Sequence, residues 1–204
     1  MIELIQQQNF IIGSQKAINN LSNKNNPRLL TVSDVHGNSE NLFNIITRYG
    51  NGCDALLIAG DSCKDLEKLL SIAEKDLEFR KNIPDVICAV KGNCDCENVY
   101  FSEPLKSFHL PEKLILTANN QRILLTHGHN YGIAFSLNSL GLEMQYSEAK
   151  IGIFGHTHIA REYYADGYKF INPGSCTSPR GGQHPGFAII TVGNNFSDTN
   201  FILL

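Results

Sequence analysis

Residues 29–36 read Leu-Leu-Thr-Val-Ser-Asp-Val-His, and residues 55–61 read Ala-Leu-Leu-Ile-Ala-Gly-Asp. Each is a short apolar run without polar alternation that leads into an acid. Such runs mark strands covered on both faces, as in a parallel sheet lying between layers. Between them, Leu42, Ile45, Ile46 and Tyr49 fall at i, i+3, i+4 and i+7 and stop at Gly50-Asn51-Gly52, the pattern of an amphipathic helix with a glycine terminator. After the second run, Ser62 and Asp65 have capping-box spacing for a helix with the apolar stripe Leu66, Leu69, Leu70, Ala73 and Leu77. Asp85–Val90 comes next as a third strand. A βαβαβ start of this kind predicts a parallel sheet with helices packed on it.

The second half reads differently. Lys113–Ala118 and Gln121–Thr126 flank Asn119-Asn120, and Glu162–Ala165 and Tyr168–Ile171 flank Asp166-Gly167; both are hairpin signals. A helix is expected over Ala134–Ala149, with weak periodicity. Further strands are expected at Ile151–Phe154, Phe187–Val192 and Asn200–Leu203. The pattern predicts two sheets, one largely parallel and one richer in antiparallel pairs.

The 204 residues suit one domain that needs no disulfide or structural-metal staple. Residues 1–28 stand apart: twelve Asn, Gln or Ser residues lie between Gln6 and Asn26. They are read as a polar leader, weakly structured or packed on a domain spanning 29–204. Seventeen basic against twenty acidic side chains leave a net charge of −3. That balance argues against a general nucleic-acid or anionic-membrane binder. No apolar run approaches the ~18–20 residues of a membrane span, and the N-terminus lacks the basic start of a signal peptide. Six scattered cysteines, most of them beside or inside apolar runs, fit reduced thiols and a cytoplasmic setting.

The segments just past the strands carry the chemistry. Five apolar runs deliver Asp34-Val35-His36, Gly60-Asp61, Gly92-Asn93-Cys94-Asp95, His127-Gly128-His129 and Gly155-His156-Thr157-His158. In open α/β sheets the binding crevice lies at this end of the strands. Asp34/His36, His127/His129 and His156/His158 are i, i+2 pairs, whose members face one side if the extended geometry continues. The glycines beside them allow close backbone approach. One histidine at a strand end is usually a surface or hydrogen-bonded side chain, and one aspartate a helix cap. Five such termini, holding five of the seven histidines, point to a metal site, because unpaired carboxylates and imidazoles grouped without purpose cost desolvation energy. Oxygen and nitrogen donors without thiolates suit Mn²⁺, Fe, Zn²⁺, Co²⁺ or Ni²⁺. Cys94-x-Cys96 lacks the spacing and the second pair of a zinc knot. Seven donors exceed what one four-coordinate ion needs, so two divalent ions are expected.

From Leu29 onward, the ordered set SDVHGN, GD, GNCD, THGH, GHTH and NPGS resembles the calcineurin-like metallophosphoesterases, and more narrowly their small YfcE-like phosphodiesterase branch. The resemblance implies a four-layer αββα sandwich of two mixed sheets packed face to face with flanking helices. It implies that Asp34, His36 and His158 hold one metal, that Asn93, His127 and His156 hold the other, and that Asp61 bridges them. It also implies hydrolysis of a small phosphodiester by a hydroxide activated between two ions, with manganese the expected metal. Two ions, two carboxylates and a hydroxide leave one positive charge to match a diester monoanion; a carboxylate in place of Asn93 would erase it.

Many members of the wider family have a histidine where Cys94 stands. A neutral thiol is a weak donor, so Cys94 and His129 are both candidates to protonate the leaving group. Asp95 is a candidate to orient the Asn93 turn, and Arg180, on a Gly-rich loop, to contact substrate phosphate. The alternatives are a metal-poor interaction scaffold resembling the retromer subunit of this fold, a phosphomonoesterase, and, less in keeping with the acidic balance, a nuclease. Small members of the branch are often dimers, so the resemblance admits a homodimer, while the sequence itself does not set the oligomeric state.

Overall fold

The computed structural model describes residues 1–102, 104–194 and 197–204. The first half of the chain forms α1 (Gln15–Asn23), β1 (Arg28–Val32), α2 (Ser39–Tyr49), β2 (Ala55–Ile58), α3 (Cys63–Lys75), α4 (Leu77–Arg80) and β3 (Val86–Ala89). The second half forms β4 (Asn98–Phe101), β5 (Lys106–His109), β6 (Lys113–Ala118), β7 (Gln121–Thr126), α5 (Asn138–Tyr146), β8 (Ile151–Ile153), β9 (Arg161–Ala165), β10 (Tyr168–Asn172), β11 (Gly186–Val192) and β12 (Ser197–Leu203).

The unbroken apolar runs are explained by what covers them. In β1, β2 and β3, Leu30, Val32, Leu56, Ile58, Ile87 and Ala89 face Leu42, Ile45 and Ile46 of α2 and Leu66, Leu69 and Leu70 of α3. The alternate residues Leu29, Leu57 and Cys88 face Leu116, Ile123, Leu125 and Ile153 of a second sheet. On the far side of that sheet, Leu124 and Phe170 meet Leu140 and Met144 of α5. Three stacked apolar interfaces therefore separate four layers, the αββα sandwich expected. The first sheet has the order β12-β11-β1-β2-β3, with β1, β2 and β3 parallel. The second runs β6-β7-β8-β10-β9, parallel only across β7-β8 and β8-β10. Both expected hairpins form. Asn119 and Asn120 have φ of 49° and 58°, and Asp166 and Gly167 have 52° and 79°, the left-handed pair that a type I′ turn requires.

Several expectations are corrected. The 96–112 stretch, for which no strand is expected above, contains the β4–β5 hairpin. The helix expected over 134–149 is confined to α5, because Gly132 turns left-handed and the chain stays irregular to Leu137. Ser62 and Asp65 make no capping box: Asp65 instead accepts from Gly37 N–H and Ser39 Oγ. Leu77 leaves the α3 stripe and is exposed, since Asp76 ends α3 and caps α4 by accepting from Glu78 and Phe79 N–H. Among the described residues no helix is long and apolar enough to cross a membrane.

The leader is built into the sandwich. Ser14 caps α1, which packs between the β3 and β6 edges through Ile18 and Leu21. Ile12 exchanges two 2.9 Å backbone hydrogen bonds with Ile87 on the outer edge of β3. The Gln6 side chain donates to His109 O at 2.7 Å and accepts from His109 N–H at 2.8 Å, imitating a strand partner for β5. An otherwise open sheet edge is thereby covered. Ile12 is 1% exposed and Ile5 52% exposed. In urea denaturation, Ile12→Ala should cost about 2–5 kcal/mol, whereas Ile5→Ala should stay within about 0.5 kcal/mol.

Candidate metal centre

The centre forms where the C-terminal ends of strands from both sheets meet. Asp34 and His36 follow β1, Asp61 follows β2, and Asn93 follows β3, while His127 follows β7 and His156 and His158 follow β8. The donor atoms converge in two groups. In one, Asp34 Oδ1 lies 3.2 Å from His158 Nε2 and 3.8 Å from His36 Nε2, and the two imidazole nitrogens are 3.2 Å apart. In the other, Asn93 Oδ1 lies 3.1 Å from His127 Nε2 and 2.9 Å from His156 Nδ1. Asp61 Oδ2 sits between them, 3.6 Å from His36 Nε2 and 3.4 Å from His127 Nε2.

The pairs Asp34/His36 and His156/His158 converge by a different route from the one expected, and His127/His129 does not converge as a pair. The chain does not stay extended past the strands: Asp34, His36, Asp61, His156 and His158 have φ between 49° and 65°. These left-handed turns fold each side chain back over its strand end. Left-handed backbone at non-glycine residues costs on the order of 1 kcal/mol or more each, and such strain concentrates at functional sites. Neighbouring glycines leave the room: a Cβ at Gly92 would overlap the Asp61 carboxylate and backbone nitrogen, and one at Gly155 would overlap Ser33 Oγ.

Surrounding groups aim the donors. His127 Nδ1 lies 2.7 Å from Ala59 O, and His158 Nδ1 lies 2.6 Å from Ser178 O. A carbonyl only accepts, so each Nδ1 carries a proton and each neutral ring turns the Nε2 lone pair into the cluster. Asn93 Nδ2 faces Cys94 Sγ at 3.3 Å, which orients the amide oxygen inward. Asp34 Oδ2 accepts from Ser33 Oγ and His156 N–H, at 2.7 and 3.1 Å. Its Oδ1 is buried without a hydrogen-bond donor. A buried anionic oxygen without a donor, facing imidazole lone pairs, is a poor arrangement by itself and a good one around a cation.

The charges behave accordingly. Burial pushes Asp61 up, but the His127 ring 3.4 Å away and the hydrogen bond from Cys94 N–H outweigh it and hold the carboxyl well below its ordinary range. Burial lowers His127, yet Asp61 and Asp34 raise it on balance. The Asp34 carboxylate, 3.2 Å from its Nε2, raises His158. His156 and His129 are lowered, first by burial and then by His127.

The remaining residues singled out in the sequence fall at graded distances. Cys94 Sγ lies within 4.8 Å of the His36 and Asp61 donor atoms. The Asp95 carboxylate accepts from Gly92, Ser62 and Cys63 N–H at 2.9, 3.2 and 2.8 Å. It is thus a positioning residue that locks the Asn93 loop onto the start of α3, rather than a group facing the cluster. His129 sits one step out, its ring 5.4 Å from that of His127 and its Nε2 3.7 Å from Glu112 Oε2. Arg180 N–H donates to His158 O, which places its loop beside the first donor group. Nothing in the sequence pattern marks Ser33, and Ser175 stands out only as part of a turn, yet its hydroxyl donates to Asp34 O at 2.7 Å. Asn172 belongs to the same turn; its Nδ2 donates to Gly155 O and Thr157 Oγ1 and braces the GHTH loop.

Residues 28–195 match the calcineurin-like phosphoesterase superfamily domain, and the chain belongs to that family. It is 33% identical over 173 residues to the probable metallophosphoesterase YsnB of Bacillus subtilis, covering 85% of this chain and 89% of that one. It is 27% identical over 181 residues to the phosphodiesterase YfcE of Escherichia coli, covering 80% and 86%. The structure of vacuolar protein sorting 29 from Cryptosporidium parvum matches with a TM-score of 0.65 at 18% identity, covering 88% and 98%, a likeness of fold alone. The chain is a phosphoesterase-family hydrolase with a set of candidate metal-binding residues.

The raised histidines give the cluster a signed pH dependence. A folded-state pKa above the unfolded ~6.5 contributes stability below that value, and the contribution is lost as pH rises through the folded value. Chelator-treated protein should therefore lose Tm as pH rises from about 6.5 to about 8. Added Mn²⁺ should raise Tm more at about pH 8 than at about pH 6, since cations take the neutral rings. Scanning calorimetry at matched ionic strength checks both signs, with about 2–4 °C expected per kcal/mol in a chain of this size.

Proposed function

We propose that the chain is a phosphodiesterase that works with two divalent ions, and that it takes small phosphodiesters rather than nucleic acid. The observation that carries the proposal is Asp61 Oδ2, lying within 3.6 Å of a histidine from each donor group. Asp34, His36 and His158 would hold one ion, Asn93, His127 and His156 the other, and Asp61 would serve both. The orphaned Asp34 Oδ1 fits that occupancy. Ions bound there supply an activated water and positive charge against the phosphoryl oxygens. Manganese is the working metal in this reading, and Zn, Fe, Co and Ni suit the same donors.

The chain's own residues set the rest. Asn93 contributes an oxygen without a charge, so the cluster keeps a positive surplus for a monoanionic diester. Arg180, on the loop that carries Ser178 and buttresses His158, supplies a guanidinium for a non-bridging phosphate oxygen. Burial and the Asp61 charge raise the Cys94 thiol, which keeps it protonated but leaves it a weak donor. His129 lies beyond the donor atoms. Departing oxygens that need little protonation are therefore favoured. The phosphodiesterase name of the YfcE relative supports the reaction class, and the six free cysteines support a reducing, cytoplasmic setting.

Metal-stripped protein should regain activity with single added metals, Mn²⁺ first, and should hydrolyse diesters faster than matched monoesters; a monoester preference would make it a phosphomonoesterase. Asp61→Asn should weaken binding of both ions and lower kcat/KM by at least ~100-fold, whereas loss of only one ion in equilibrium dialysis would remove the bridging role. Across a leaving-group series, 4-nitrophenyl esters should exceed alkyl esters by more than ~100-fold. Equal rates would show that a competent general acid is present.

A further inference from the structure

Cys94 belongs to neither donor group described above, yet it stands at their solvent side. Its Sγ lies within 4.8 Å of donor atoms of His36 and Asp61, which are themselves within that distance of each other. In this trio His36 and Cys94 are exposed and Asp61 is buried. The same three residues, with Gly37 and Cys96 among others, line a surface cavity of about 290 Å³. On the protein side, by contrast, the cluster is backed by the buried Asp34 and His127.

Two contacts tie Cys94 to both donor groups. Its N–H donates to Asp61 Oδ1 at 2.8 Å, and Asn93 Nδ2 faces its Sγ at 3.3 Å. The other end of that amide, Asn93 Oδ1, faces His127 and His156. An amide N–H turned to sulfur offers a thiolate a donor once a cation has displaced its proton. The space the trio surrounds calls for a cation independently of the thiol. Asp34 Oδ1, fully buried and without a donor, lies 3.8 Å from His36 Nε2.

Donor atoms around a tetrahedral zinc ion stand about 3.3–3.8 Å apart, given bonds of ~2.0–2.1 Å to nitrogen or oxygen and ~2.3 Å to sulfur. His36 Nε2 meets that spacing with Asp61 Oδ2 at 3.6 Å and with Asp34 Oδ1 at 3.8 Å. Cys94 Sγ has at most about 1 Å to close, and the torsion that moves it is that of an exposed side chain. Cations differ in whether they take it. Thiolates select softer ions such as Zn²⁺, whereas Mn²⁺ is suited by oxygen. Cys96 joins no such group among the described residues, so the trio offers one sulfur in a mixed site rather than a cysteine knot.

We propose that Cys94 is a further donor, taken by thiol-seeking cations and passed over by Mn²⁺, and that it decides which metal the centre works with. When Zn²⁺ stands beside His36, Cys94 gives its proton to solvent and its sulfur to the ion, and no electron changes hands. Protein donors then close the solvent side. That is the character of a structural zinc site, whereas a catalytic one keeps a position free. With Mn²⁺ the thiol stays protonated and the solvent side stays open. The inference rests on the two-ion phosphodiesterase reading and supplies a physical cause for its metal preference.

Co²⁺ serves as the probe for Zn²⁺, because a cobalt–thiolate bond gives a near-ultraviolet charge-transfer band that nitrogen and oxygen donors do not. Metal-stripped protein titrated with Co²⁺ should develop this band. Cys94→Ser should lose it and keep the weaker visible bands of bound cobalt, which report that the centre is folded and occupied; Cys96→Ser should keep both. In competition with a chromophoric chelator, Cys94→Ser should weaken Zn²⁺ binding by at least ~10-fold and move Mn²⁺ binding by less than about twofold. The ratio of Zn²⁺-supported to Mn²⁺-supported diester hydrolysis should rise in the same variant.

The spectrum separates failure of this role from failure of the enzyme. Two Co²⁺ ions bound per chain in equilibrium dialysis without the band, or a band lost in Cys96→Ser and kept in Cys94→Ser, would overturn the role of Cys94 and leave the phosphodiesterase reading standing. A band that depends on Cys94, in protein whose Mn²⁺ form hydrolyses no ester, would uphold the role and overturn that reading.

Discussion

One oxygen atom organises this molecule. Asp34 Oδ1 is buried and has no hydrogen-bond donor, while its sister Oδ2 is fixed by Ser33 and the His156 amide. An anion in that state destabilises a fold unless a positive charge stands close to it. The surroundings are built to receive that charge. His36 and His158 turn nitrogen atoms toward the oxygen, Asp61 adds a second carboxylate, and the backbone adopts left-handed turns at five donor residues to bring them together. A scaffold without ligand-binding duties has no physical reason to keep strain and unpaired charge in the same few cubic ångströms. The likeness to vacuolar protein sorting 29 concerns the backbone, and the backbone alone does not carry this arrangement.

The two-sheet stack is what makes the cluster possible. Each sheet delivers only part of the donor set: β1, β2 and β3 bring Asp34, His36, Asp61 and Asn93, while β7 and β8 bring His127, His156 and His158. The inter-sheet core of Leu29, Leu57, Cys88, Ile123, Leu125 and Ile153 sets the spacing between the halves. A change in that layer therefore reaches the centre by moving one half of the donors against the other. Apolar packing and donor geometry are in this sense one constraint. The leader adds to it from the side, since Ile12 closes the β3 edge and α1 closes the gap to β6.

Much of this was legible in the sequence because burial on both faces writes itself as unbroken apolar runs, and because Gly-Asp, His-x-His and similar short motifs at the ends of such runs have few structural uses. The donors Asp34, His36, Asp61, Asn93, His127, His156 and His158 do converge. How they converge was not legible. A positive φ at His36 or His158 leaves no compositional trace, since these residues tolerate the left-handed region without requiring it. The β4–β5 hairpin was hidden because its pairing is short and Gln6, over a hundred residues away in sequence, completes it. The partners of Asp95 were hidden for the same reason, since Ser62 and Cys63 lie on a different strand–helix connection. Local pattern reports the elements, whereas cross-chain hydrogen bonds decide what holds the loops.

Asp95 also bears on where positive charge for a phosphate comes from. In many α/β proteins a helix N-terminus aims its free N–H groups at the anion. Here the first N–H groups of α3 are taken by Asp95, so that helix stabilises a loop of the protein rather than a substrate. Just before α2, Gly37 N–H and the Ser39 hydroxyl both donate to Asp65, which ties that loop to α3. The start of α3 thus directs its dipole at a wall of the centre. In the reading proposed above, charge compensation for a diester would then fall to cations in the cluster and to Arg180. On that reading, a donor set with only two carboxylates, and Asn93 where a third would cancel charge, is the set that leaves the cluster positive for an anionic substrate.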